Sequence, residues 1–361
     1  MSHLTAFRQS MIQKGFDAAI ISCEISQRYL SGFAYSDGYL LITKEKNYLI
    51  TDFRYEEAAK KEADPAFEIV CPPTGAPLAM AGYLADEGAV NVAVEEKTLA
   101  LATFDRLKSV MPDAKLTPGA SEILDELRIC KDADELDTIA RAQKITDDAF
   151  AHILKVLTPN MTEVEVALEL EFFMRRSGAE DISFETIAVS GSASSLPHGV
   201  PRRQKLEKGF LTMDFGARVD GYCADMTRTV VLGRADEEMK KLYNTVLSAQ
   251  LAALDAAKEG FSCRELDKIA RDIIDNNGYK GRFGHSLGHG VGMYVHEAPN
   301  LSQSPRTAPG TVLQRGNVVT FEPGIYISGK YGCRIEDMAA IDLDGSLRNF
   351  TASPKELIEL F

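Results

Sequence analysis

The tightest constraint on how this chain folds is that part of it occurs twice. Thr162-x-x-Glu165 and Ser262-x-x-Glu265 are both capping boxes, and each marks a helix start. Each predicted helix ends at a glycine sixteen residues on, Gly178 and Gly278. Further along, Lys208-Gly209 leads into FLTMDFG, and Arg315-Gly316 leads into NVVTFEPG. With one extra residue in the second copy, Asp214 matches Glu322. The return strands GYCADMT and GCRIEDM then match Asp225 with Glu336 without a gap. A duplicated helix–hairpin unit folded about a pseudo-twofold axis would bring both carboxylate pairs to a shared centre.

The first hairpin, Phe210–Thr229, can be laid out from its turn. Asp220-Gly221 is a strong two-residue turn signal between two alternating runs. Strand alternation puts Leu211, Met213 and Phe215 on one face and Thr212, Asp214 and Gly216 on the other. Val219 then pairs with Tyr222, Gly216 lies opposite Asp225, and Asp214 is diagonal to Asp225, with Cβ atoms roughly 7–8 Å apart. On this layout Gly216 leaves open space between the two carboxylates. Asp is disfavoured inside strands. Two aspartates alone could be a solvated face, but four carboxylates at equivalent positions of a repeat point to a metal site.

The 361 residues exceed the usual size of a single core, so two domains are expected. Residues 1–125 have the pattern of an α/β unit, with strands near 17–22, 39–43, 47–51, 67–71 and 91–94. The boundary is placed between Pro118 and Lys131, giving domains of 1–125 and 126–361, with a charged helix over 132–157 opening the second. No Gly-rich phosphate loop is present. The formal charge of −13 and pI near 5.1 argue against nucleic acid and anionic membranes as partners. No apolar run is long enough for a membrane span. Six scattered cysteines without a CxxC pair read as reduced thiols in a cytoplasm-like compartment.

The remaining candidate ligand comes from GHSLGHGVGMYVHE, residues 284–297. Four carboxylates and an imidazole form an oxygen-rich set suited to two divalent ions, with Mn²⁺, Co²⁺ and Zn²⁺ all compatible. The chemistry such a pair supports is metal-assisted hydrolysis.

Asp214, Asp225, His289, Glu322 and Glu336, in this order and spacing, resemble the ligands of the pita-bread-fold metallopeptidases. Within them the chain is similar to Xaa-Pro aminopeptidases and prolidases. YLSGF (29–33) and TDFRYEEA (51–58) resemble the creatinase-like amino-terminal α/β domain of those enzymes, so the similarity covers nearly the full length. The resemblance implies a small α/β domain followed by an α+β pita-bread catalytic domain, and a homodimer. It implies that Asp225 and Glu336 bridge both ions, that Asp214 binds one, and that His289 and Glu322 bind the other. A hydroxide between the ions would attack the peptide, with Glu322 shuttling its proton. His198 and His296 match histidines that steady the tetrahedral intermediate. His285 matches one that lines the proline pocket, and Arg334 an arginine that holds carboxylates in place beside the substrate. Tyr326 is a further candidate for the substrate wall. His3 and His152 are read as structural or surface residues.

Gly284–Gly288 also fits G-x-S-x-G, but that elbow needs a buried strand before it and a helix after it. Here the preceding residues are polar, and Gly290 and Gly292 follow. His296-Glu297 does not extend to HExxH, because Asn300 stands where the second histidine belongs. Metal-free creatinase-like hydrolases and peptide-binding relatives replace the five ligands, whereas all five are present here. A dipeptidase must bind the free carboxylate of its second residue, typically with an arginine. Asn300 occupies the position where prolidase-like relatives can carry one, with Arg306 nearby as a substitute. The sequence therefore leans towards an aminopeptidase acting on peptides with proline second, with a dipeptidase as the alternative.

Overall fold

The structure is a computed structural model that describes residues 2–305 and 307–361. Arg306 lies outside the described residues. The chain forms two compact units, Met1–Arg128 and Ile129–Phe361.

The first unit is a six-stranded sheet. Its spatial order is Glu68–Val70, Asn47–Ile50, Tyr39–Thr43, Ala18–Ile21, Asn91–Val94, Lys115–Pro118. Tyr39–Thr43 is antiparallel to both neighbours, and every other pairing is parallel. Ala18–Ile21 and Asn47–Ile50 are buried at every position, as strands covered on both faces must be. The expected hairpin over 39–51 forms. The helix Ala76–Asp86 has no counterpart in the sequence reading, because APLAMAGYLAD is apolar nearly all round and shows no helical period.

The second unit is built from two copies of one plan. Ala133–Val156 starts at a capping box, Asp132 with Glu135, and is followed by Glu163–Arg176 with the reciprocal Thr162–Glu165 box. The hairpin Gly209–Phe215 and Met226–Leu232 then forms the centre of a four-stranded sheet. In the second copy the helices are Glu237–Ala256 and Cys263–Ile274, and the hairpin is Val318–Phe321 and Asp337–Ile341. The duplication extends to single bridges. Thr162 pairs with Lys205 and Ser262 with Val312, each partner three residues before the Lys-Gly or Arg-Gly step. The copies differ at the helix ends. Gly178 (φ 106°) closes the first helix, whereas the second runs into a π-helical turn, Asp275–Tyr279, around Gly278.

Strand alternation gives each hairpin one apolar and one polar face. Leu211, Met213, Phe215 and Met226 pack on Leu170 and Met174 of the first helix pair. Val319, Phe321, Ile335 and Ile341 pack on Leu242, Val246 and Leu266 of the second. The residues between them, Asp214, Thr227, Thr320 and Glu336, are left for the other side. The hairpins join there. The Glu336 N–H donates to Thr227 O (3.1 Å), and Thr229 Oγ1 donates to Arg334 O (2.9 Å). Among the described residues no helix is long and apolar enough to cross a membrane.

Candidate metal centre

In the first hairpin Val219 faces Tyr222, Phe215 faces Met226, and Asp214 faces Thr227, so Gly216 does stand opposite Asp225. The reason for the glycine differs from the sequence reading. A Cβ on Gly216 would lie 1.8 Å from Ala224 O, so the glycine admits the partner backbone rather than leaving space between carboxylates. In the second hairpin Phe321 faces Asp337 and Gly324 faces Arg334, which sets Glu322 opposite Glu336. His289 is carried by the three-residue strand Gly288–Gly290, which runs between Glu297–Leu301 and Val318–Phe321. Gly288 permits that approach, since a Cβ there would meet Thr320 O at 1.9 Å. Gly284–Gly288 thus leads into a strand, not into the helix that a nucleophile elbow needs.

Asp214, Asp225, His289, Glu322 and Glu336 all line one cavity of about 530 Å³, with His198, His285, His296, Arg334 and Asn300. Ligand atoms of Asp225, His289 and Glu336 lie within 4.8 Å of one another, and all three residues are buried. His289 Nε2 is 3.7 Å from Asp225 Oδ2 and 3.4 Å from Glu322 Oε1. Its Nδ1 sits 3.1 Å from Gly290 O, so Nδ1 carries the proton and Nε2 turns a lone pair towards the carboxylates.

Burial and mutual repulsion strain this cluster. Burial, then Glu336 and the other carboxylates, holds the Asp225 carboxyl well above its usual range. Burial and Glu336 do the same for Glu322. The Glu336 carboxyl is pushed up to about 8 by burial and Asp214, despite a 2.6 Å hydrogen bond from Thr227 Oγ1. Burial lowers His289 to about 4, with His296 adding to it. Asp214 Oδ1 is buried without a partner. Converging carboxylates, a neutral imidazole lone pair and an orphaned buried oxygen suit divalent cations and leave them otherwise uncompensated. These five residues fit the two-ion set expected from the sequence.

Around them the side chains are tied down. Arg334 donates to Asp214 Oδ2 (2.6 Å), Tyr326 OH (2.7 Å), Thr227 Oγ1 (2.9 Å) and Pro197 O (3.2 Å). Tyr326 OH meets His285 Nε2 at 3.0 Å, and His285 Nδ1 meets Ser286 O at 2.9 Å. Tyr326 therefore sits behind Arg334 and His285 and is not among the cavity-lining residues. Burial lowers His285 to about 3, with Arg334 adding to it, so the ring is neutral. The His296 ring rests 4.2 Å from that of His289, and His198 stands exposed on the rim. His152 is not among the cavity-lining residues and bonds Glu169 at 2.6 Å.

Several supporting residues went unread in the sequence. Arg228, almost fully buried, donates to Glu336 O (2.6 Å) and Asp337 Oδ1 (2.8 Å), and Lys355 reaches Asp337 Oδ2 (2.6 Å). Arg271 holds Phe283 O (2.7 Å) and His285 O (2.9 Å), while Asp267 accepts from Leu287 N (2.9 Å). An arginine in the β-run MTRTVVL was the one legible signal among these. None of the six cysteines, all among the described residues, is in a disulfide.

Residues 137–342 match metallopeptidase family M24, and residues 3–130 match the creatinase/prolidase N-terminal domain. A solved Xaa-Pro dipeptidase from Bacillus anthracis is 40% identical, with a TM-score of 0.93 and 99% of each chain covered. An X-Pro aminopeptidase structure from Thermotoga maritima is 36% identical, with a TM-score of 0.89, covering 98% of this chain and 100% of its own. An Xaa-Pro dipeptidase from Pyrococcus horikoshii is 38% identical over 350 residues, 96% of each chain.

Proposed function

The chain belongs to metallopeptidase family M24, and from that membership we propose that it is an Xaa-Pro dipeptidase, cleaving between a first residue and a following proline. The observation that carries this reading is the convergence of Asp214, Asp225, His289, Glu322 and Glu336 on one cavity, beside an imidazole suited to a proline ring. The preference for dipeptides rests on the likeness to enzymes named Xaa-Pro dipeptidase at 40% and 38% identity. It replaces the lean towards an aminopeptidase taken from Asn300.

In the proposed site the five residues hold two divalent ions, with Mn²⁺ the proposed metal. When bound, the ions polarise the scissile carbonyl and make a water nucleophilic near neutral pH. Glu322, 3.4 Å from His289 and 3.8 Å from His285, takes the proton from the attacking water and passes it to the leaving imino nitrogen. His198 and His296, on the cavity wall, donate to the oxyanion of the tetrahedral intermediate. His285 has both ring nitrogens engaged, by Tyr326 and Ser286, so only its apolar ring surface is left for the substrate's pyrrolidine. Arg334 orients Asp214 and leaves its other oxygen for a ligand.

A second reading, an aminopeptidase that accepts longer peptides, is favoured by one feature. Among the described lining residues the sole guanidinium is Arg334, already committed to Asp214, and Asn300 offers no charge to a substrate carboxylate. A homodimer working in the cytoplasm is proposed with either reading. Cleavage of Ala-Pro and Ala-Pro-Ala, compared under the same Mn²⁺ loading, separates them. Turnover of the dipeptide alone, or with at least tenfold preference, supports the dipeptidase. Preference for the tripeptide supports the aminopeptidase.

A further inference from the structure

The loop that carries His198 leaves the strand Ile187–Ser190 and returns at Arg202, and both of its ends meet on one side chain. That side chain is Glu163, fully buried at the start of the helix Glu163–Arg176. Its Oε1 accepts from Ser190 N (2.7 Å), Ser190 Oγ (2.8 Å) and Arg202 Nη2 (2.6 Å). Its Oε2 accepts from Arg202 N (2.9 Å) and Arg202 Nε (2.8 Å). Arg202 also donates to Ser190 O (3.2 Å), which closes the stem. The cavity side of the loop is fixed by Arg334 Nη1 on Pro197 O (3.2 Å).

His198 itself has no such support. It is exposed and makes no hydrogen bond among the described residues, and its neighbours Leu196 and Val200 are 56% and 79% exposed. Where this imidazole stands is therefore decided by the loop, and the loop's span is decided by Glu163. The second repeat lacks this device, since Cys263 occupies the matching helix position.

We infer that Glu163, with Arg202, is a positioning residue that sets the reach of His198 into the cavity. The inference rests on the peptidase reading for its kinetic consequence, but not for its structural one. Five hydrogen bonds to one carboxylate cannot be kept by an amide, which presents donors to Arg202 where acceptors are needed. Glu163→Gln thus loosens the stem while leaving the five candidate ligands untouched.

The test is a double-mutant cycle with a conformational reporter. Glu163→Gln should lower kcat by about ten- to a hundredfold with KM and bound metal nearly unchanged, the size of loss that misplacing one group produces. In a His198→Ala background the same change should cost less than about twofold, because the imidazole it positions is gone. The chain has no tryptophan, so Leu196→Trp gives a single reporter on the loop, outside the cavity lining. Its time-resolved fluorescence anisotropy should gain a fast component when Glu163→Gln is added. Should Glu163→Gln not fold, Arg202→Met is read in the same way. An equal loss in both backgrounds, or an unchanged anisotropy decay, overturns the inference. If the native chain cleaves no Xaa-Pro peptide, the functional reading fails while the anisotropy still decides the role of the stem.

Discussion

Glu336 accepts from Thr227, shares its cavity with Asp214, Asp225 and Glu322, and has its backbone carbonyl held by Arg228. Its position is thus secured independently of its charge. Glu336→Gln and Asp225→Asn are predicted to cut turnover to about a hundredth or less, as expected when groups serving the transition state are removed. Both variants should remain folded. Without metal at neutral pH, their Tm should equal or exceed that of the native chain, because each replaces a buried carboxyl whose charged form the cluster already disfavours. Parallel melting curves and turnover assays check both halves. At this scale the sequence was informative where chemistry is written into short patterns. The four carboxylates stand at repeat-equivalent positions, and His198, His285, His289 and His296 sit in Gly- or Pro-flanked motifs. Apart from Arg334, the partners that hold them were not visible. Arg228 and Asp337 are 109 residues apart, and nothing local to either announces the other.

Among the elements, the hairpins were legible because strand period and turn chemistry agree. Asp220-Gly221 forms the turn, and the register counted from it holds through Gly209–Phe215. The reason for Gly216 was not legible, because close approach of a backbone depends on twist and cannot be read from alternation. Gly216→Ala should lower Tm and weaken metal binding together, since the 1.8 Å clash with Ala224 O forces apart the strands that carry Asp214 and Asp225. Calorimetry of melting and of metal binding reads the two effects. The helix start at Glu163 carries a prediction with a pH sign. Burial alone would raise this carboxyl, but the bonds from Arg202 and Ser190 overcome it and hold it below its usual value near 4.5. A lowered carboxyl stabilises the fold above its unfolded value and loses that contribution as pH falls through the folded one. Glu163→Gln should therefore cost roughly 2–3 kcal/mol at pH 7, somewhat less than a fully buried pair because Arg202 is 31% exposed. The gap to the native chain should shrink below about pH 4.5. Denaturant melts at pH 7 and pH 4 measure it.

For the whole molecule, the division into an α/β unit and a duplicated catalytic unit could be anticipated because the repeat lies wholly in the second part. The first part could be read where strands alternate or run apolar and where helices are amphipathic. The helix Ala76–Asp86 and the edge strand Lys115–Pro118 offered neither pattern. What peptide length the enzyme accepts is a property of the cavity lining, to which Asn300 contributes no charge, and no motif encodes it. On the reading proposed above, five side chains drawn from both halves of the repeat make this chain a metal-dependent Xaa-Pro peptidase. The most direct measurement is turnover of Ala-Pro by metal-stripped protein as Mn²⁺ is added back, in the native chain and in Glu336→Gln. No turnover is expected without metal, with activity that rises with added ion and saturates in the native chain, and almost none in the variant. Full turnover by stripped protein, or by Glu336→Gln, would contradict that reading.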